Sequence, residues 1–81
     1  DVRVLCVCPG PTETDMMRQS IATAPDEAQA RQQWANYTLL GRVARPEEIG
    51  ETILLAASPR ATFSTGSVIM ADGGATAGKR V

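Results

Sequence analysis

The sequence predicts an α/β fold in which a run of helices lies, along the chain, between two parallel strands. Residues 2–8 are rich in β-branched side chains, are apolar almost throughout and end at a Pro-Gly-Pro turn, as a buried strand does. Residues 46–57 place apolar side chains at helical spacing, and residues 67–71 form a second short apolar run. A strand that is apolar on both faces is typical of a parallel sheet covered by helices. We therefore expect the order strand, helices, strand.

Two helices are predicted between the first strand and residue 41. The first begins near Thr12, which stands at capping-box spacing from Asp15. Its apolar side would consist of Met16, Met17 and Ile21. The second begins with the Pro-Asp-Glu sequence at 25–27, which is typical of a first helical turn, and it runs to about Leu40, where Gly41 ends it. Its thin apolar face is made mainly of Ala30, Trp34 and Tyr37.

The third helix, 46–57, has the best defined ends. Pro46 suits the first helical position, two glutamates follow it, and a Ser-Pro pair ends the helix. The second strand stops at an Asp-Gly-Gly turn, and residues 75–81 are expected to be loose. The two strands are predicted to pair in parallel through a right-handed crossover. Their outer edges would be uncovered, so we expect the chain to need more sheet beside it.

Composition excludes several classes of function. The 81 residues contain no histidine and only two cysteines, which excludes a Cys/His metal site, a disulfide framework and any histidine base. The net charge of −1, with scattered basic residues, predicts no nucleic-acid partner. No membrane association is expected, because the longest apolar run, 53–57, is far too short to span a bilayer. We expect a cytoplasmic protein in which Cys6 and Cys8 are small buried residues.

The turn after the first strand is the candidate site. Ligands in open α/β sheets bind at the carboxyl ends of parallel strands. Here residues 9–14, Pro-Gly-Pro-Thr-Glu-Thr, follow the strand and lead into a helix. Free backbone N–H groups and two hydroxyls at a helix start could hold an amide or phosphate oxygen. A capped helix start without a ligand is an equal alternative on these residues alone.

Three segments resemble the short-chain dehydrogenase/reductase family. Residues 2–4, Val-Arg-Val, and residues 7–16, Val-Cys-Pro-Gly-Pro-Thr-Glu-Thr-Asp-Met, are similar to the pattern that follows the family's sixth strand. Residues 40–49 are similar to its L-G-R-x-x-x-P-E-E-I segment, and residues 65–74 to its final T-G-x-x-x-x-x-D-G-G strand. The motifs stand in the family's order and cover nearly the whole chain. The similarity extends to the 3-oxoacyl-ACP reductase-like members.

The resemblance implies the C-terminal portion of a Rossmann-type doubly wound parallel sheet. It also implies an oxidoreductase that transfers hydride between NAD or NADP and a small carbonyl or alcohol substrate. By their places in the motif, the cofactor-binding residues would be Pro9, Gly10, Pro11, Thr12 and Thr14, with Thr12 acting mainly through its backbone. Residues from about 12 to 40 would form a substrate lid. Its candidate substrate contacts are Met16, Met17, Trp34 and Tyr37, for which core or interface packing is an equal alternative.

The resemblance further implies a homodimer or homotetramer that pairs through the 46–57 helix and the 67–72 strand. The chain departs from the family pattern, however, because Tyr37 is followed four residues later by Gly41 rather than by the catalytic lysine. The family's catalytic serine and glycine-rich loop are also absent. We expect residues 1–81 to be one incomplete domain, the C-terminal segment of an enzyme, with no activity alone. The alternative is a truncated, non-catalytic module that pairs with a full-length relative.

Overall fold

The computed structural model describes residues 1–79 and confirms the predicted order of strand, helices and strand. Within these residues the structure has two strands, three α-helices and a single 3-10 turn. The elements are β1 (Cys6–Pro9), α1 (Asp15–Ala22), α2 (Glu27–Asn36), α3 (Pro46–Ala57), the turn Pro59–Ala61 and β2 (Val68–Ala71). Within residues 1–79, none of these helices has the length and apolar character needed to cross a membrane.

The strands β1 and β2 pair in parallel, as predicted, with Cys6 opposite Val68 and Pro9 opposite Ala71. Strand β1 is shorter than the predicted 2–8, because the residues before it face a loop rather than β2. That loop still binds them: the Gly66 amide donates to the Val4 carbonyl at 2.7 Å. The guanidinium of Arg3 donates to three carbonyls at 3.1 to 3.2 Å, two of them at the end of α3.

Helix α1 begins two residues later than predicted. Its N-cap is Thr14, whose hydroxyl accepts from the Met17 amide at 3.2 Å. The predicted cap, Thr12, instead donates its hydroxyl to the Gly10 carbonyl at 2.8 Å. The expectation that Met16 shares the apolar side was also wrong, because Met17 is buried and Met16 is 81% exposed. Successive helical residues point about 100° apart, so these two methionines cannot face the same way.

Helix α2 ends at Asn36, well before the predicted Leu40. Its N-cap is Asp26, whose carboxylate accepts from the Gln29 amide at 3.1 Å. The helix ends early because the amides of Leu39 and Leu40 both donate to the Gly73 carbonyl, at 2.9 and 3.2 Å, rather than to carbonyls of α2. This contact joins segments that are distant in sequence and overrides the local helical pattern.

Helix α3 has the predicted bounds, with Pro46 at its start. The carboxylate of Glu48 accepts from the Arg45 amide at 2.9 Å and from both terminal nitrogens of Arg42 at 2.8 Å. The hydrogen bonds from Arg42, followed by the backbone bond from Arg45, lower the pKa of Glu48 from 4.5 to about 2. The start of α3 is therefore tied to the loop that precedes it.

Strand β1 has α3 over one face only. Leu5 and Val7 line an open cleft against Ile53 and Ala56 of that helix. The two cysteines were expected to be buried, but Cys6 is exposed and Cys8 is half-buried, with their sulfurs 3.7 Å apart. They lie on the other face of the strand, since side chains two apart in a strand share a face.

The segment after β2 is more ordered than the predicted loose tail. The Ala75 amide donates to the Asp72 carbonyl at 3.2 Å, and the Ala77 amide donates to the Gly74 carbonyl at 3.0 Å. These bonds form a tight turn directly after the strand. The last two residues of the predicted loose tail, Arg80 and Val81, lie outside the described residues.

The depressed pKa of Glu48 predicts acid sensitivity at the start of α3. A folded-state pKa below the unfolded value means that ionised Glu48 stabilises the fold above about pH 4.5, and that this contribution is lost as pH falls toward 2. We expect Glu48→Gln to lower the free energy of unfolding at pH 6, with the deficit shrinking between pH 4.5 and 2. Urea unfolding of the full-length protein across this range measures it. Glu47→Gln, on the same turn, is the control, and an equal pH-dependent deficit there would contradict the prediction.

Candidate cofactor site at the strand ends

The carboxyl ends of β1 and β2 lie side by side, which brings the turn at 9–14 against the turn at 72–74. The contact is close at Gly10. Its amide donates to the Ala71 carbonyl at 3.1 Å, and a Cβ atom at this position would lie 2.7 Å from the Cα atom of Asp72. Real Cβ atoms do not approach so closely, so a side chain here would push the two turns apart.

The turn is also held from the side of the loop before α3. Thr12 and Ala44 form an isolated parallel bridge. The Ala44 amide donates to the Pro11 carbonyl, and the Glu13 amide donates to the Ala44 carbonyl, both at 2.8 Å. Sequence reasoning missed Ala44, which falls in the unspecified part of the L-G-R-x-x-x-P-E-E-I segment. Backbone atoms make this pairing, so the identity of the side chain at 44 gives no sign of it.

The two threonine hydroxyls of the turn have different roles. Because the Thr12 hydroxyl donates to the Gly10 carbonyl at 2.8 Å, its hydrogen is already used inside the turn. The Thr14 hydroxyl accepts from the Met17 amide, and in residues 1–79 it has no recorded acceptor for its own hydrogen. A hydroxyl has one donor and two acceptor positions. The exposed Thr14 can therefore cap α1 and donate to a ligand at the same time.

Asp72 holds the turn that contacts Gly10; the sequence placed it in the D-G-G motif but not among the predicted site residues. It is 8% exposed. Its carboxylate accepts from the Gly74 amide at 3.0 Å, from the Thr76 amide at 3.1 Å and from the Thr76 hydroxyl at 2.8 Å. The bond from the Thr76 hydroxyl lowers the pKa of Asp72 most, and the backbone bonds add to it. This carboxylate shapes the turn, since its oxygens are engaged within the turn rather than directed at a ligand.

Charged side chains connect the turn to both helices of the predicted lid. Glu13 pairs with Arg31 of α2 at 2.9 Å and with Arg18 of α1 at 3.9 Å. The Glu13 side chain is largely covered, whereas both arginines are about half exposed. Exposed ion pairs of this kind contribute about 0–1 kcal/mol each. They orient α1 and α2 relative to the turn more than they stabilise the fold.

The predicted substrate residues fall into different environments. Met17 is buried in the small core, Trp34 is half-buried, and Met16 and Tyr37 are exposed. The rings of Trp34 and Tyr37 lie 5.9 Å apart. A cavity of about 220 Å³ does lie next to the turn, but none of these four residues lines it. Its walls include Pro11, Thr38, Ala44, Ile49, Thr52 and Asp72.

Comparisons with known proteins agree with this geometry. Residues 1–76 match a family model described as enoyl-(acyl carrier protein) reductase. The short-chain dehydrogenase fogB of Aspergillus ruber is 40% identical over 76 residues, which are 93% of this chain and 26% of that protein. The chain belongs to the short-chain dehydrogenase/reductase family. The resemblance read from the three motifs is thereby confirmed.

Solved structures of short-chain dehydrogenases and reductases confirm the Rossmann-type α/β fold. The Cj0485 dehydrogenase superposes with a TM-score of 0.90 at 28% identity, over 99% of this chain and 31% of that one. YwfH, described as an NADPH dependent reductase involved in bacilysin biosynthesis, superposes with a TM-score of 0.79 at 32% identity, over 91% of this chain and 30% of that one. The chain thus spans about a third or less of the length of these relatives.

The close approach at Gly10 predicts a position-specific cost. We expect Gly10→Ala to destabilise the full-length protein by about 1–3 kcal/mol, as overpacking of a tight contact does. Gly50, on the exposed side of α3, is the matched control because nothing lies within 4 Å of its added Cβ. Gly50→Ala should stabilise the helix by about 0.5–1 kcal/mol. Chemical denaturation measures both changes, and a Gly10→Ala variant as stable as the wild type would rule out the close contact.

Proposed function

We propose that this chain forms part of an NAD(P)-dependent oxidoreductase that transfers hydride between the cofactor and a carbonyl or alcohol carbon. In this proposal residues 9–14 hold the nicotinamide end of NAD(P)(H). The observation that carries it is the exposed Thr14 hydroxyl, whose hydrogen has no recorded acceptor in residues 1–79, at the carboxyl ends of two parallel strands. Ligands of doubly wound sheets bind at that edge. YwfH, which is described as NADPH dependent, has the same local fold.

The proposed contacts follow from the bonding of each residue. The nicotinamide supplies the hydride chemistry, and the chain supplies its position. Gly10 has no side chain, so the Pro-Gly-Pro turn lies directly against Asp72, and this contact would hold its backbone in place for the ring. The Thr14 hydroxyl would donate to the carboxamide oxygen, while Thr12, whose hydroxyl is already engaged with Gly10, would contribute backbone groups only. The carboxylate of Asp72 would not compete for this amide, because it is engaged within its own turn.

The proposed enzyme takes its catalytic acid from outside these residues. The sequence contains a single tyrosine, Tyr37, and no lysine four residues after it. We therefore propose that the chain is the C-terminal segment of the enzyme and is inactive alone. Residues 12–40 would form the substrate lid, held to the cofactor turn by the pairs of Glu13 with Arg18 and Arg31. Met16 and Tyr37, which are exposed, are the better candidates for substrate contact.

The Thr14 hydroxyl provides the direct test, with NADH and NADPH titrations of the full-length protein. Thr14→Ala should weaken binding of the preferred cofactor by ~0.5–1.5 kcal/mol, the net contribution of a typical hydrogen bond. Thr14→Ser should bind like the wild type. Thr14→Asp keeps an N-cap acceptor but has no donor when ionised, so it should bind as weakly as Thr14→Ala or more so.

The control for loss of a helix cap is Asp26→Ala, which removes the N-cap of α2. It should destabilise the protein by about 0.5–2 kcal/mol and leave cofactor affinity unchanged. Equal affinities for wild type and Thr14→Ala would refute the contact with Thr14. Absence of any NADH or NADPH binding by the wild type would refute the proposed function itself.

We also propose that α3 and β2 form a subunit interface of a homodimer or homotetramer. Five of the twelve large apolar side chains that are exposed in residues 1–79 lie on these two elements. They are Ile53, Leu54 and Leu55 on α3 and Val68 and Met70 on β2. Large apolar side chains exposed in this way favour burial against another protein surface. The same surface would serve the alternative function, a non-catalytic module that pairs with a full-length relative.

Leu54 tests the interface, because it is 64% exposed and lies about 160° around the helix from the buried Ala56. We expect Leu54→Glu to shift the full-length protein toward smaller species in analytical ultracentrifugation, with its fold retained by circular dichroism. Ala28→Glu, an exposed position of α2, is the control and should leave the distribution unchanged. An unaltered distribution for Leu54→Glu would exclude this face of α3. A full-length assembly that forms without binding NADH or NADPH would favour the non-catalytic module.

A further inference from the structure

Thr38 is the most enclosed polar residue in the described chain, with only 2% of its surface exposed. Its hydroxyl lies 3.1 Å from the Ala35 carbonyl and 2.9 Å from the Arg42 carbonyl, either of which can accept its hydrogen. The same oxygen accepts from the amides of Gly41 at 3.0 Å and Arg42 at 3.2 Å. One hydroxyl thus joins the end of α2 to the loop that leads into α3.

The carbon side of Thr38 packs against the turn after β2. A Cβ atom on Gly73 would lie 3.1 Å from the Thr38 Cβ and 3.3 Å from its methyl carbon. The neighbouring amides of Leu39 and Leu40 donate to the Gly73 carbonyl. The methyl group of Thr38 and the two amides that follow it therefore hold this end of the predicted lid against the Asp-Gly-Gly turn.

Both segments that Thr38 fastens also support the turn at 9–14. On one side, Gly73 follows Asp72, whose Cα is the atom that Gly10 approaches most closely. On the other side, the loop that begins at Arg42 continues to Ala44, which exchanges two backbone hydrogen bonds with the turn at 2.8 Å. Thr38 is almost fully buried, and like Pro11 it lines the cavity beside the turn. It lies between the two segments that contact the turn at 9–14, namely the turn at 72–74 and the loop 42–44.

We propose that Thr38 is the positioning residue that sets the geometry of the nicotinamide-binding turn and couples it to the lid. The inference rests on the proposed function of residues 9–14. It extends that function, because it assigns a role to a buried hydroxyl outside the turn itself. Loss of the hydroxyl frees the Arg42 loop, because the amide and carbonyl of Arg42 lose their bonds to it, and this moves Ala44 relative to Pro11. The turn at 9–14 then keeps its residues, but its backbone is displaced from the position that binds the nicotinamide.

The test compares Thr38→Val, which keeps the shape but loses the hydroxyl, with Thr38→Ser, which keeps the hydroxyl. NADH and NADPH titrations and steady-state kinetics use the full-length enzyme. We expect Thr38→Val to raise the dissociation constant and the KM of the preferred cofactor by about tenfold, as loss of a buried hydrogen-bonding partner does. The kcat at saturating cofactor should stay within about twofold of the wild type, because no group that meets the reacting atoms has changed. Thr38→Ser should restore affinity to within about twofold.

Thr62→Val is the control, since Thr62 is exposed and far from the cofactor turn in sequence, and it should bind cofactor like the wild type. If Thr38→Val does not fold, Thr38→Ala replaces it. Valine puts a methyl group where the hydroxyl faced the Ala35 and Arg42 carbonyls, and alanine does not. Equal cofactor affinities for Thr38→Ser and the variant without the hydroxyl would overturn the inference. So would a fall in kcat at unchanged KM, which indicates fewer folded molecules rather than a displaced turn. A wild type that binds neither cofactor would instead overturn the proposed function on which the inference rests.

Discussion

The close approach of Gly10 to Asp72 is the constraint on which the rest of the site depends. It exists because β1 and β2 run in parallel and end at the same level, with Pro9 opposite Ala71. Two chain segments that leave neighbouring strands at one edge would normally diverge. Here the amide of Gly10 bonds Ala71, and the missing Cβ lets the turns stay in contact. The Asp72 carboxylate then fixes the second turn from within, so each turn has a defined partner.

Backbone contacts between distant segments hold this arrangement more than a hydrophobic core does. In the described residues the buried apolar side chains are only Met17, Ile21 and Ala56. The loop before α3 pairs with the turn at 9–14 through Ala44, and the segment after α2 pairs with Gly73. Buried hydrogen bonds are directional, so they specify geometry even where apolar burial is small. The large apolar side chains left exposed on α3 and β2 are consistent with a chain that spans about a third of its relatives' length.

The sequence predicted those elements whose signals are local. Helix α3 was correct at both ends because Pro46 and two glutamates start it and a Ser-Pro pair ends it. The predictions failed where a distant contact decides the outcome. Helix α2 stops early because Gly73 takes two amides that the helical pattern would have used, and β1 starts late because its partner strand does. Thr38 was missed and the role of Asp72 was not predicted for the same reason, since their partners are recognised only once the chain is folded. The order of elements and the location of the turn were therefore predictable, but the residues that support the turn were not.

The two interpretations of the turn, a capped helix start and a ligand site, are not alternatives once the hydroxyls are assigned. A helix cap needs an acceptor and an amide ligand needs a donor. The Thr14 hydroxyl accepts a hydrogen bond from the Met17 amide and can still donate one. The Thr12 hydroxyl already donates its hydrogen to the Gly10 carbonyl. The N-cap of α1 also fixes the position of the Thr14 side chain, so capping restricts the directions in which it can donate. In the proposed function the helix start is therefore part of the cofactor contact, and a residue that caps without a hydrogen to donate would keep the helix and lose that contact.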